Sequence, residues 1–209
     1  MLRHILKISA RNFHRNKFFA IINIAGLSLG LATFILIALY IQFEYSWDKF
    51  NNNYKRVYAL QSIAHMADGD EYWSQLGYPV ADAIKMEYPE VQDALVTRPV
   101  WGEYLSASEE LTFYEEKGLY AQQSIFDFLT IEFIEGEPEN ALTEPYSIVL
   151  TRSLKDKYFK GEPAVGKYLT VNNRYDLKVT GVIDDFPENS SFDNTYISPI
   201  EILNSGNEW

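Results

Sequence analysis

The stretch closest to a catalytic motif is Gly161-Glu-Pro-Ala-Val-Gly166-Lys167-Tyr168, which satisfies the G-x-x-x-x-G-K part of a phosphate-binding loop. Tyr168 stands where a Ser or Thr would ligate Mg²⁺, and Pro163 removes one backbone donor from the cradle. The segment is also predicted to follow a helix and lead into a strand. A phosphate loop needs the reverse order, with the anion on the N-terminus of the helix behind it. Nucleotide binding is therefore not expected here. His4, His14 and His65 are too scattered to form a metal cluster. Asp184, Asp185 and Glu188 crowd a Pro/Asn/Ser-rich turn and could offer oxygen ligands to Ca²⁺, although a solvated turn accounts for them more simply. No Ser or Thr sits in a nucleophile elbow. With no Cys in the chain there is no disulfide framework, thiolate metal site or cysteine nucleophile. No catalytic residue, cofactor or metal is expected.

The element that must position everything else is residues 18–43, a run of 26 residues without Asp, Glu, Lys, Arg or His. As a helix it reaches about 39 Å, enough to cross a hydrocarbon layer of about 30 Å with some tilt. Arg3, Lys7, Arg11, Arg15 and Lys17 precede it with no acid among them. All 29 acidic residues follow it, with 13 of the 18 basic ones, so the balance is +5 before the run and −16 after it. The positive-inside rule then predicts a cytoplasmic N-terminus and an extracytoplasmic remainder, residues 44–209. A cleaved signal peptide would have an apolar region of about 7–15 residues ending in small residues. This run is longer and ends in Tyr40, Ile41, Gln42 and Phe43.

Residues 1–17 place Leu2, Ile5, Leu6, Ala10 and Phe13 on one helical arc and the basic residues on the opposite one. The reading is a cytoplasmic amphipathic helix with its basic side on anionic lipid. A plain orienting flank and a docking point for a cytoplasmic partner remain open alternatives. Within the span, Gly26 and Gly30 form a G-x-x-x-G pair that would let another helix approach closely.

Beyond the span the chain predicts short strands at 56–62 and 71–75, then a helix at 79–87 with Pro79 in its first turn. Further strands are expected at 91–101, 111–114, 119–122, 131–134, 147–150, 168–171 and 177–183. Helical segments are expected at 126–129 and at 152–159, the latter capped by Thr151 and ended by Gly161. The fold class is an α+β extracytoplasmic domain attached to one N-terminal transmembrane helix. The aromatic content supplies a core, and the acidic balance speaks against nucleic acid as a partner. The stretch SFDNTYISPIEILNSGNEW reads as having no closing strand, which makes the domain look truncated at its C-terminal end.

In its order of features the sequence resembles the permease subunits of ABC transporters of the macrolide-exporter type, with a periplasmic core domain. The resemblance runs through LKISARNFHRNKFFAIINIAGLSLGLA, EYSWDKFNNNYKRVYAL and SIFDFLTIEFIEGEPENAL, and is most specific in SIVLTRSLKDKYFKGEPAVGKYLTV and LKVTGVIDDFPENSSFD. It implies an inner-membrane permease of four transmembrane helices or a duplicated set, working with a separate or fused ATPase and a second permease copy. No further apolar span follows in this sequence, so it is expected to be the N-terminal part of a longer permease. The resemblance also implies that the Gly161–Lys167 turn is structural. The alternative from another class is a single-span extracytoplasmic sensor or binding module.

Overall fold

The computed structural model describes residues 4, 11, 15–74 and 76–206. The chain divides into two compact units, Met1–Trp47 and Asp48–Trp209. In the first, Lys17–Tyr45 forms a single helix, α1, with every residue from Lys17 to Phe19 and from Ile21 to Tyr45 exposed. By length and composition this helix is long and apolar enough to cross a membrane. The amphipathic reading of residues 1–17 falls mostly outside the described residues, Arg3 and Lys7 among them. Arg11 and Arg15 lie in helical backbone, and they and Lys17 are exposed.

The second unit begins with an exposed hairpin, β1 (Ser62–Met66) and β2 (Gly69–Trp73), and a helix, α2 (Pro79–Glu87). Its body is a nine-stranded sheet. The strands are β3 (Thr97–Val100), β4 (Glu103–Ser108), β5 (Leu111–Glu115), β6 (Gly118–Ala121), β7 (Phe133–Glu135), β8 (Ser147–Thr151), β9 (Tyr168–Val171), β10 (Tyr175–Ile183) and β11 (Tyr196–Pro199). They lie in the order β3-β6-β11-β8-β10-β9-β4-β5, with β7 pairing β10. Two short helices, α3 (Ile125–Phe128) and α4 (Arg152–Phe159), punctuate it.

This order forces the sheet to curl. β3 and β4 stand six strand spacings apart, about 29 Å in a flat sheet. Yet only Trp101 and Gly102 join them, a reach of about 11 Å. The pairing explains how. Thr97↔Ala121 to Val100↔Gly118 and Glu103↔Glu115 to Ser106↔Thr112 keep one continuous register, so residues 97–121 are a single long hairpin bent at Trp101-Gly102. Its base pairs with β11 and its outer arm with β9, and the sheet closes through it.

Both faces of the central strands are buried. In β8, Ile148 and Leu150 join Leu105, Tyr120, Leu169, Leu177 and Tyr196 in one cluster, to which α4 contributes Leu154 and Tyr158. Val149 turns the other way, to Leu119, Ile183 and Ile197 and to Ile125 of α3. That is why Ser147–Thr151 reads as a near-continuous apolar run and pairs in parallel with β10. Thr151 caps α4, its hydroxyl accepting the Leu154 N–H, while the left-handed residue ending the helix is Lys160, one before Gly161. Asn172 and Asn173, both with positive φ, turn β9 into β10.

The structure corrects several sequence-based expectations. Residues 57–61 are not a strand; β1 starts at Ser62, and the expected strand 91–101 shrinks to β3. β4 was unanticipated because Gly102 and the mixed sequence EYLSAS mask its alternation. The expectation of no closing strand is overturned by β11, buried between β6 and β8. Its signal was hidden by Pro199 and by its brevity.

Ser198 in β11 is wholly buried, and among the described residues its hydroxyl finds no hydrogen-bond partner. An orphaned buried hydroxyl carries a desolvation cost. Ser198→Ala is therefore expected to raise the unfolding free energy by about 1 kcal/mol, which urea denaturation followed by tryptophan fluorescence would measure.

Candidate functional site at the entry to the domain

Directly after α1 the chain crosses Ser46 and Trp47 and enters the second unit at Asp48. The helix end is closed locally: Ser46 Oγ donates to the Phe43 carbonyl at 2.6 Å, and the Phe43 and Trp47 rings meet edge-on at 6.0 Å. Asp48 then adopts the left-handed backbone (φ 55°), which Asp tolerates better than most residues.

From there the strap 48–53 is tied to the domain at two places. The first is the loop between β10 and β11. The Asp48 N–H donates to the Asn189 carbonyl at 2.8 Å, and the Asp48 carboxylate accepts the Ser191 N–H at 2.8 Å and, through its other oxygen, the Ser191 hydroxyl. The second is the segment ending α3. Asn51 is buried (5% exposed) and its side-chain oxygen accepts the Thr130 N–H at 2.6 Å. The Asn52 N–H donates to Thr130 Oγ1 at 3.0 Å, and the Asn53 amide donates to the Asp127 carbonyl at 3.3 Å. Both receiving segments are themselves anchored: Leu129 is buried, and Phe186 and Phe192 stack at 6.2 Å beside the same apolar cluster.

The other sequence-flagged positions are placed as follows. The Gly161–Lys167 turn follows α4 and leads into β9, and its donors are engaged internally. The Ala164 and Val165 N–H groups donate to the Glu135 carboxylate at 2.8 and 3.3 Å, and Lys155 Nζ lies 3.1 Å from its other oxygen. A side-chain carboxylate thus occupies the cradle in which an anion would sit. Burial alone would raise the Glu135 pKa, but the Ala164 N–H, the Lys155 ammonium and the Val165 N–H outweigh it and hold the carboxyl below its ordinary value. Asp185 accepts the Ser153 N–H and hydroxyl at the start of α4, at 3.1 and 2.6 Å. The Arg152 guanidinium, 3.1 Å from Asp184, holds that carboxyl below the usual range. Gly26 and Gly30 lie on α1 with nothing within 4 Å of where a Cβ would stand.

One polar cluster escaped the sequence reading. Glu103 accepts hydrogen bonds from Tyr120 and Tyr196 at 2.8 and 2.7 Å. Burial, reinforced by the carboxylate, pushes both phenols well above the ordinary tyrosine pKa. The cleft beside them measures about 80 Å³, small against ligand pockets of about 300–1,000 Å³. The strap likewise gave only a weak signal, since Asp, Asn and Ser runs announce turns without naming their partners.

Residues 20–207 match the family model described as the MacB-like periplasmic core domain. No curated protein matches. Among solved structures, a domain described as part of a permease protein from Porphyromonas gingivalis aligns with a TM-score of 0.56 at 26% identity, over 69% of this chain and 64% of that one. The periplasmic region of MacB from Actinobacillus actinomycetemcomitans aligns at 0.46 and 18% identity, over 62% and 58%. The extracellular domain of the ABC-type transporter YknZ from Gram-positive bacteria aligns at 0.43 and 13%, over 54% and 57%. The chain therefore spans less than two thirds of each of these structures.

Proposed function

The chain belongs to the family of MacB-like periplasmic core domains, and from that premise we propose that it is the membrane anchor and extracytoplasmic part of an ABC transporter permease. In this reading α1 crosses the inner membrane, residues 1–17 stay on the cytoplasmic side against anionic lipid, and residues 44–209 lie outside. ATP hydrolysis by a partner ATPase moves the permease, and α1 carries that movement to the outer domain for export or extraction of a substrate. Gly26 and Gly30 provide the close-approach face for another helix, that of a second permease copy included. No catalytic step is assigned to this chain.

The observation that carries this reading is the charge step across the charge-free run 18–43, +5 before it and −16 after it.

The absence of native Cys gives a clean test of orientation. In intact cells with a permeabilised outer envelope, a membrane-impermeant maleimide is expected to label Glu109→Cys, at the tip between β4 and β5, and to spare Lys17→Cys until the inner membrane is broken. The opposite pattern would overturn the orientation. Copurification from membranes with an ATP-hydrolysing subunit tests the partnership.

A further inference from the structure

We propose that residues 48–53 form a two-point latch that delivers tension on α1 straight to the closed sheet, with Asp48 and Asn51 as its positioning residues. The inference deepens the transport reading by naming where the movement enters the domain.

The argument rests on two possible routes from Trp47 to the sheet. The covalent route is long and soft: it runs through residues 57–61, which hold no regular structure, and the exposed β1–β2 hairpin, and first meets the core of the sheet at Tyr78, just before α2. Pulled alone, that path would pay out about 10 nm of slack, residues 48–77, before the load reached Tyr78 and through it the core of the sheet. The second route is the strap. The hydrogen bonds that hold it include three at Asp48 to the loop preceding β11 and three at Asn51–Asn53 to the segment ending α3. These two receiving segments flank the sheet's own connections, since β11 sits between β6 and β8 and α3 packs Ile125 against Val149 of β8 and Ile197 of β11. The acceptors are also well chosen. The Asp48 carboxylate engages the N–H and hydroxyl of one residue together, a directional, charge-assisted contact, and the buried Asn51 amide receives a backbone N–H. The left-handed turn at Asp48 aims the carboxylate at Ser191 on the first residue of the unit. The exposed hairpin and α2 are thereby left outside the path of the pull.

Force spectroscopy on the full chain tests this without any ATPase. The protein is held by α1 in a supported bilayer and pulled from its C-terminal end. Release of residues 48–77, the length between the strap and the packed Tyr78, is expected as one step of about 10 nm. In Asp48→Ala/Asn51→Ala that step should appear at less than about half the wild-type force, with the later opening of the sheet unchanged. An oxidised Asp48→Cys/Ser191→Cys variant should lose the step before the sheet opens and recover it on reduction. The latch is overturned if wild type already releases this length near zero force, or if the double alanine variant releases it at the wild-type force. Should that variant fail to fold, the comparison of wild type with the oxidised cross-link decides alone: wild type resisting as the cross-link does supports the latch, and early release sinks it. Failure here leaves the transport reading intact, and a domain that did not move with ATP would leave the force trace unchanged.

Discussion

Gly118→Ala is expected to destabilise the domain by about 3 kcal/mol or more, at the upper end of what overpacking costs. A Cβ on Gly118 would lie 2.2 Å from Cζ of Tyr196 and 2.3 Å from its hydroxyl oxygen. The ring cannot withdraw: Tyr196 is wholly buried, its hydroxyl is held 2.7 Å from Glu103, and its strand is paired on both sides. Gly118 also stands in the bent hairpin at the point where β6 meets β11, in register with Tyr196. Relieving the clash would mean parting the two strands that close the sheet. The urea midpoint and near-ultraviolet circular dichroism would both report the loss. A variant as stable as the parent would show that the sheet is not closed at this position.

The second large effect is at Glu135. Glu135→Ala should lower stability at pH 7 by about 2–3 kcal/mol, because it leaves the Lys155 ammonium and two turn N–H groups without their common acceptor. The Lys155 and Glu135 side chains are 13% and 19% exposed, so water compensates poorly. The pH dependence carries a definite sign. The folded-state pKa of Glu135 is depressed below its ordinary 4.5, so its contribution is fully present above that value and fades as the pH falls through the folded pKa. The difference between the parent and Glu135→Gln should therefore narrow under acid. A gap that stayed constant from pH 7 to 3 would remove the charge from the account.

How legible this molecule was depended on whether a signal was local. α1 was plain because 26 residues without a charge leave few alternatives. α2, β8, α4, β9 and the Asn172-Asn173 turn were readable for the same reason, since Pro79, the Thr151 cap and the paired Asn residues act within a few positions of themselves. What failed was non-local. β11 is buried by neighbours far away in sequence, and four residues ending in Pro do not announce that. The long hairpin was read as separate strands because its bend at Trp101-Gly102 interrupts the alternation while the register continues. The helix-to-strand order around the Gly161–Lys167 turn was readable, but the carboxylate that fills the turn comes from β7. The Asp48–Asn53 strap entered the sequence reading only as part of EYSWDKFNNNYKRVYAL, since its partners lie at 127–130 and 189–191.

The position of β11 has a consequence for biogenesis. Synthesis runs from the N-terminus, so β6 and β8 are complete long before the strand that must lie between them exists. Until residues 196–199 arrive, GLYA and SIVLT wait with bare apolar edges, the kind of surface that recruits stray strands from neighbouring molecules. A nascent chain halted just short of Tyr196 should therefore aggregate or engage a chaperone.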